Sequence, residues 1–212
     1  MNFTRLPILP TELYEFEYPE HLVEDALNII VTHKITDGYG RWKGKPEYGE
    51  SSPGRKALHN NPYFEHHTKF IEQCLSEVTR DLEYNNNINL KISLFWANRS
   101  RPGQWHHAHR HPWSLLSGII YLQGNSGRTW FSRKNPYDLS EQFPTYYESE
   151  RENIIYKHTP TPGKMIIFPS DLIHSVDNNM EDQDRITLSF NTFPTRTVGE
   201  KANLSGFDLE IH

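Results

Sequence analysis

Near the end of the chain, the run Arg185-Ile186-Thr187-Leu188-Ser189-Phe190-Asn191 alternates without a break, apolar at the even positions and polar at the odd ones. A period of two marks a strand, because successive side chains leave opposite faces of a sheet. One face must join an apolar core. The other, carrying Arg185, Thr187, Ser189 and Asn191, must line something that accepts polar groups and a cation. The remainder of the chain therefore has to supply both a core and a polar interior.

Further period-two segments precede it. In 88–98, Leu90, Ile92, Leu94 and Trp96 alternate with Lys91, Ser93, Phe95 and Ala97. Shorter strands are expected at 115–122, 128–131, 164–168 and 172–176. Many short strands with Gly/Pro turns predict a sandwich or jelly roll. The segment 132–160, polar and aromatic with no clear period, reads as an insertion between strands. The first half has a different rhythm. Leu22, Ala26, Ile29 and Ile30 have helical spacing within 19–35, and Phe64, Phe70, Ile71, Cys74, Leu75, Val78 and Leu82 form a broad apolar stripe within 61–84. Pro19 suits a helix start. His66 and His67 fall on the second helix, where surface or packing roles are expected. The Gly/Pro/Ser-rich connector 37–56 is long enough to be a lid or binding loop. The expectation is one domain over 1–212, mainly β with supporting N-terminal helices: helical support and lid in 1–87, a jelly-roll core in 88–196 and a C-terminal tail in 197–212.

Composition narrows the function. A formal net charge of −5 argues against a dedicated nucleic-acid or membrane-surface protein. The basic cluster Arg41, Lys43, Lys45, Arg55 and Lys56 is diluted by Glu47 and Glu50 and reads as a solvated loop, an anionic partner being the alternative. The single cysteine, Cys74, suits a small core position and cannot form an intrachain disulfide. There is no apolar run of membrane-spanning length and no basic-then-apolar leader at the N-terminus. A soluble cytoplasmic protein is the default expectation, with a homodimer left open.

The chemistry concentrates in Gly103-Gln-Trp-His-His-Ala-His-Arg-His-Pro112, where four of ten residues are histidine. His107, His109 and His111 share one parity, and on a strand His109 and His111 would reach one point. Neutral imidazole suits iron, zinc, copper and nickel. His174, on a strand after the Pro169-Ser170-Asp171 turn, is the candidate third ligand. Hydrogen-bonding histidines at a strand end are the bland alternative. It is weakened by the distal histidine and by Arg185 on a polar strand face.

These residues carry a resemblance. Asn98, Gly103, His109 and His111 stand where the alkylation-repair dioxygenases carry Asn-x4-Gly-x5-His-x-Asp. His174, Arg185 and Thr187 resemble the distal His and Arg-x-Ser/Asn/Thr of 2-oxoglutarate, Fe(II)-dependent oxygenases. Tyr121, in "SGIIYL", resembles the prolyl-hydroxylase tyrosine that contacts 2-oxoglutarate. "HRHPWSLLSGIIYL" and "IIFPSDLIH" are similar to an uncharacterised oxygenase family with His-x-His-Pro, Ser-Gly-x-x-Tyr and Phe-Pro-Ser motifs. The resemblance covers residues 92–192. It implies a double-stranded β-helix that binds Fe(II), 2-oxoglutarate and O2, and a hydroxylation coupled to decarboxylation of 2-oxoglutarate to succinate and CO2. It places iron on His109, His111 and His174, the far carboxylate of 2-oxoglutarate on Arg185, and neutral contacts to the cosubstrate on Asn98, Tyr121 and Thr187. Trp96, Trp105, Trp113 and Trp130 are candidates for an apolar wall, ordinary core packing being their alternative.

One position departs from the pattern: His111 stands where a carboxylate belongs. Either His111 ligates, or it is a bystander, or a carboxylate such as Asp171 substitutes. Two other functions stay open. Gly103, His109 and His111 also fit the first cupin motif, and His174 with Asn178 its later His-x3-Asn, although Leu115 and Leu116 occupy the glutamate's place; such an enzyme has no use for Arg185. A jelly roll can also be a non-enzymatic binding module. The substrate is left among peptides, small metabolites and nucleotides.

Overall fold

The computed structural model describes residues 11–36, 50–51, 57–83, 88–133, 154–198 and 207–209. Its strands are β1 (Tyr14–Glu17), β2 (Glu50–Ser51), β3 (Ile88–Ser100), β4 (His106–His109), β5 (Leu116–Gln123), β6 (Thr129–Arg133), β7 (Ile154–His158), β8 (Lys164–Pro169), β9 (Ile173–Val176), β10 (Arg185–Val198) and β11 (Phe207–Leu209). They form two antiparallel sheets. The larger runs β1-β8-β5-β10-β3-β2, with β11 on β10, and the smaller runs β4-β9-β6-β7. This is the mainly β jelly roll that the strand pattern predicts.

The helices form where the apolar spacing demands. In α1 (Glu20–Thr32), Leu22, Ala26, Ile29 and Ile30 are buried, and Pro19 sits at its N-cap. The second helix starts later than expected. Asn61 accepts a hydrogen bond at Oδ1 from the Tyr63 N–H, and residues 62–64 make a 3-10 turn before α2 (Glu65–Asp81) begins. His67 is buried in α2, bonded to the Tyr18 hydroxyl and to Asp25 Oδ2, so it is a packing histidine, whereas His66 is exposed. Cys74 is buried in the core.

Both helices cover one face of the larger sheet. Ala26, Ile30, Ile71 and Leu75 share a core with Phe95, Ile120, Leu122, Met165, Ile167, Leu188 and Phe190. This uses the even residues of β10. Its odd residues, Arg185, Thr187, Ser189 and Asn191, are also buried, but on the other face, toward the smaller sheet. A second apolar cluster, Ile119, Tyr121, Phe131, Ile166, Phe168 and Leu172, lies between the sheets.

The alternation expected along 88–98 does not run through unbroken. Opposite β3, Asn191 pairs with Leu94 and Thr192 with Ile92, which leaves Ser93 as the extra residue of a bulge. One inserted residue exchanges the faces on either side of it. Leu90 and Ile92, and then Phe95 and Ala97, all join the helix-facing core. Trp96 and Asn98 are thereby sent to the inner face. Of the expected lid 37–56, only Glu50–Ser51 is described, paired to β3 beside Arg99 and Asn98. The expected insertion 132–160 contains β7; its residues 134–153, the C-terminal tail outside 197–198 and 207–209, and the basic cluster lie outside the described residues.

Candidate active site

His109 and His174 meet because β4 and β9 are neighbours and pair them directly. Their ring centroids are 4.2 Å apart. His111 completes the group at 5.0 Å from each. One ligand nitrogen from each of the three lies within 4.8 Å of the others, and among the described residues no Asp or Glu oxygen joins them. His111 does not arrive by strand parity as expected. β4 ends at His109, and the His111 N–H instead donates to the Ser170 carbonyl at 2.9 Å. Pro112 has no N–H with which to continue a ladder.

That contact gives the sequence motifs a physical sense. Ser170, from Phe-Pro-Ser, holds His111 through its carbonyl. Its hydroxyl lies 2.8 Å from those of Ser114 and Ser117, and Ser117 donates to Asn191 Oδ1. The turn before His174 and the loop after His111 are thus fastened to the same serines.

Two of the rings, His109 and His174, are also oriented from behind. The His109 Nδ1–H donates to the His107 carbonyl at 2.9 Å, and the His174 Nδ1–H to the Leu172 carbonyl at 3.0 Å. This is the backing that metal-bound imidazoles use, and it makes Nε2 the nitrogen offered to an ion. Burial, reinforced by His109 and His111, pushes the His174 pKa down to about 3. The ring is therefore neutral at physiological pH, and no proton competes with a metal for it. The donor set fits a divalent transition metal.

The polar face of β10 builds the second half of the site. Arg185 is buried with its guanidinium 5.5 Å from the centroid of the Tyr121 ring, and among the described residues nothing accepts from its Nε or Nη2. Burial lowers its pKa, yet a guanidinium remains charged. The loop between β5 and β6 presses on its stem. A Cβ on Gly124 would lie 3.1 Å from Arg185 Cα, and one on Gly127 would lie 3.3 Å from Arg185 Cδ; both glycines have positive φ. Tyr121 is fully buried, its hydroxyl 2.9 Å from Thr129 Oγ1 and its pKa pushed up to about 12 by burial. Thr187 is buried beside it, paired in register. Asn98 Nδ2 donates to Ser189 Oγ at 3.0 Å and meets Thr187 Oγ1 at 3.5 Å, while its Oδ1 accepts from Trp96 Nε1.

Other expectations need correction. Trp113 is 92% exposed, in a turn with φ 69, and forms no wall. Trp130 directs its indole N–H to Asp177, under the Lys157 ammonium. Trp96 does reach the site, edge-on to His111. Trp105 is half-buried. Phe131 and Phe168 are the aromatic rings that pack on His174, at 6.2 and 5.0 Å. Asp171 is exposed, as is the cupin-like Asn178. Sequence reasoning missed Thr129 and His158. The latter stacks on Tyr121 from β7, with no partner for its buried Nε2 among the described residues. Only its neighbours in space, not its neighbours in the chain, single it out.

Comparison with known proteins bears on the family and the fold. Residues 94–191 match the family described as "Putative 2OG-Fe(II) oxygenase". Among solved structures, the chain is similar to the non-heme alpha ketoglutarate dependent carbocyclase SnoK from nogalamycin biosynthesis, with 15% identity, 95% of this chain and 90% of that one covered, and a TM-score of 0.66. It is similar to HygX from Streptomyces hygroscopicus, with nickel, 2-oxoglutarate and hygromycin B bound, at 13% identity, 87% and 84% coverage and a TM-score of 0.58. It is also similar to a prolyl hydroxylase from Trichoplax adhaerens in complex with a hypoxia inducible factor fragment, at 11% identity, 85% and 83% coverage and a TM-score of 0.57. No curated protein matches the sequence. The structural likenesses carry the fold, and residues 94–191 carry the match to the 2-oxoglutarate- and Fe(II)-dependent oxygenase family, whose members use Fe(II), 2-oxoglutarate and O2.

Proposed function

We propose that His109, His111 and His174 hold the iron, that Arg185 binds the far carboxylate of 2-oxoglutarate, and that the enzyme couples decarboxylation of 2-oxoglutarate to hydroxylation of a small molecule or peptide. The observation that carries the reading is Arg185. A buried guanidinium without an anionic partner is costly unless a ligand supplies one, and its planar fork matches a carboxylate. An enzyme that used the metal without 2-oxoglutarate would have no need of it.

Bound iron supplies a Lewis-acid and one-electron centre for the cosubstrate and O2. The chain supplies the rest. His109 and His174 are backed by carbonyls, and the neutral His174 presents its nitrogen without prior proton loss. Tyr121, Thr187 and Asn98 offer neutral hydrogen bonds between the histidines and Arg185. Phe131, Phe168 and Ile166 keep that space dry, which strengthens the charged contact at Arg185. Because three histidines add no negative charge, the centre is about one unit more positive than a two-His, one-carboxylate face.

The reading is tested by anaerobic titration of Fe(II) and 2-oxoglutarate, which should give a weak visible charge-transfer band. Truncating one partner of a buried charged pair costs about 3–5 kcal/mol. Arg185→Ala should therefore raise the 2-oxoglutarate concentration needed for the band by about a hundredfold or more. An Arg185→Ala protein with wild-type affinity would remove the cosubstrate from this face.

A further inference from the structure

Beside the proposed iron centre, β4 adds two imidazoles, His106 and His107, to which the proposed oxygenase reaction assigns no role. Between β4 and β9, His106 pairs with Val176 and His109 with His174, so two residues, His107 and Ala108, stand opposite the single Ser175. This is a β-bulge, a device that re-aims side chains near functional sites. Its effect is to put His106 and His107, which a regular strand would send to opposite faces, side by side. Their rings stack at 4.6 Å and 21°, and lie 4.5 and 5.3 Å from His109. One nitrogen from each of the three lies within 4.8 Å of the others. The His107 carbonyl accepts from His106 Nδ1 at 3.2 Å as well as from His109 Nδ1 at 2.9 Å. One carbonyl thus backs two rings of the set, the arrangement that orients imidazole for a metal.

We propose that His106, His107 and His109 form a second transition-metal site that competes with the iron centre for His109. Metal binding here stands on its own geometry, whereas the competition rests on the functional reading above. With Nδ1 engaged by a carbonyl, His109 has one nitrogen to give and serves one ion at a time. All three residues are half-buried, while the iron centre includes the buried His174, so the second set is the more accessible to an arriving ion. Three neutral imidazoles without a carboxylate suit zinc, copper and nickel, which such donors bind more tightly than Fe(II). Occupancy by one of these ions removes His109 from the iron and stops turnover.

The test uses Zn(II) as the probe. His111→Ala/His174→Ala dismantles the iron centre and leaves the second set. By equilibrium dialysis this protein should hold about one Zn(II) more per chain than the same protein carrying His106→Gln and His107→Gln as well. Equal Zn(II) content in the two overturns the proposal. Should loss of buried His174 unfold the chain, His106→Gln/His107→Gln alone, at half-exposed positions, answers through inhibition. With iron loaded, the Zn(II) concentration that halves succinate release should rise about tenfold or more over wild type. An unchanged value means that zinc acts by displacing iron directly, and also overturns the proposal. Failure of the iron assignment would look different. Iron content would then survive in His111→Ala/His174→Ala, while the difference in zinc content persisted.

Discussion

At the scale of the residue, the departure at His111 is the sharpest feature of the site. It is held by the Ser170 carbonyl and faces both His109 and His174 across 5.0 Å, which supports the ligand role proposed for it. His111→Ala should therefore lower iron content. His111→Asp should retain iron, because the two other histidines remain and the new ligand is opposite in charge to the ion. It should also change succinate release in the absence of prime substrate. Metal analysis and succinate assay on both variants check this, and near-wild-type values for both would retire His111 from the centre. The sequence told which residues to watch, since His109, His174 and Arg185 are each conspicuous in it. It did not tell how His111 arrives. Strand parity was the wrong mechanism, because a backbone hydrogen bond to a distant turn does what the strand was expected to do.

At the scale of the element, β5 lies beside β10 in the larger sheet, and the Phe190 ring covers its register partner Gly118, where a side chain is missing. A Cβ on Gly118 would lie 2.1 Å from Phe190 Cζ, inside the fully buried core. Gly118→Ala should destabilise the protein by about 1–3 kcal/mol, the range for overpacking. Phe190→Leu in the same chain should recover part of that loss, because the two sites share one space. Denaturant unfolding of the single and double variants measures the coupling, and strictly additive effects would contradict the packing described. The legibility of elements follows a physical rule here. The six strands predicted from alternation, β3, β5, β6, β8, β9 and β10, all have neighbours on both sides. The strands that were missed, β1, β2, β7 and β11, and β4, expected only from its histidine spacing, pair on one side only or at the margin of a sheet. An edge strand has one ladder and a partly wet face, so its sequence is free of the strict pattern that marks a central one. In β4 that freedom is occupied by histidines.

At the scale of the whole molecule, His67 joins three separate segments: α2 through its own backbone, the chain before α1 through Tyr18, and α1 through Asp25. Burial lowers its pKa, with Asp25 opposing the shift, so the unfolded chain binds the proton more readily than the folded one. Stability is then complete above the unfolded value of about 6.5 and declines as pH falls below it. His67→Gln, which keeps hydrogen-bonding capacity without titrating, should flatten the fall in melting temperature between about pH 7.5 and 5.5. Parallel slopes for the two proteins would show that His67 does not titrate on unfolding. The buried Arg185 has a consequence at this same scale. Its cation is set in the interior with no acceptor for Nε or Nη2 among the described residues, so folding alone leaves it uncompensated. A dicarboxylate that binds only the folded chain stabilises it by mass action, by about 2.7 kcal/mol at a hundred times its dissociation constant. Melting temperature should rise with added 2-oxoglutarate, and no rise in a thermal-shift series would contradict this. With Arg185 in the role proposed for it, the protein would be longer-lived where 2-oxoglutarate is plentiful and more readily lost to proteolysis where it is scarce, so supply of the acid would set how much enzyme there is as well as how fast it turns over.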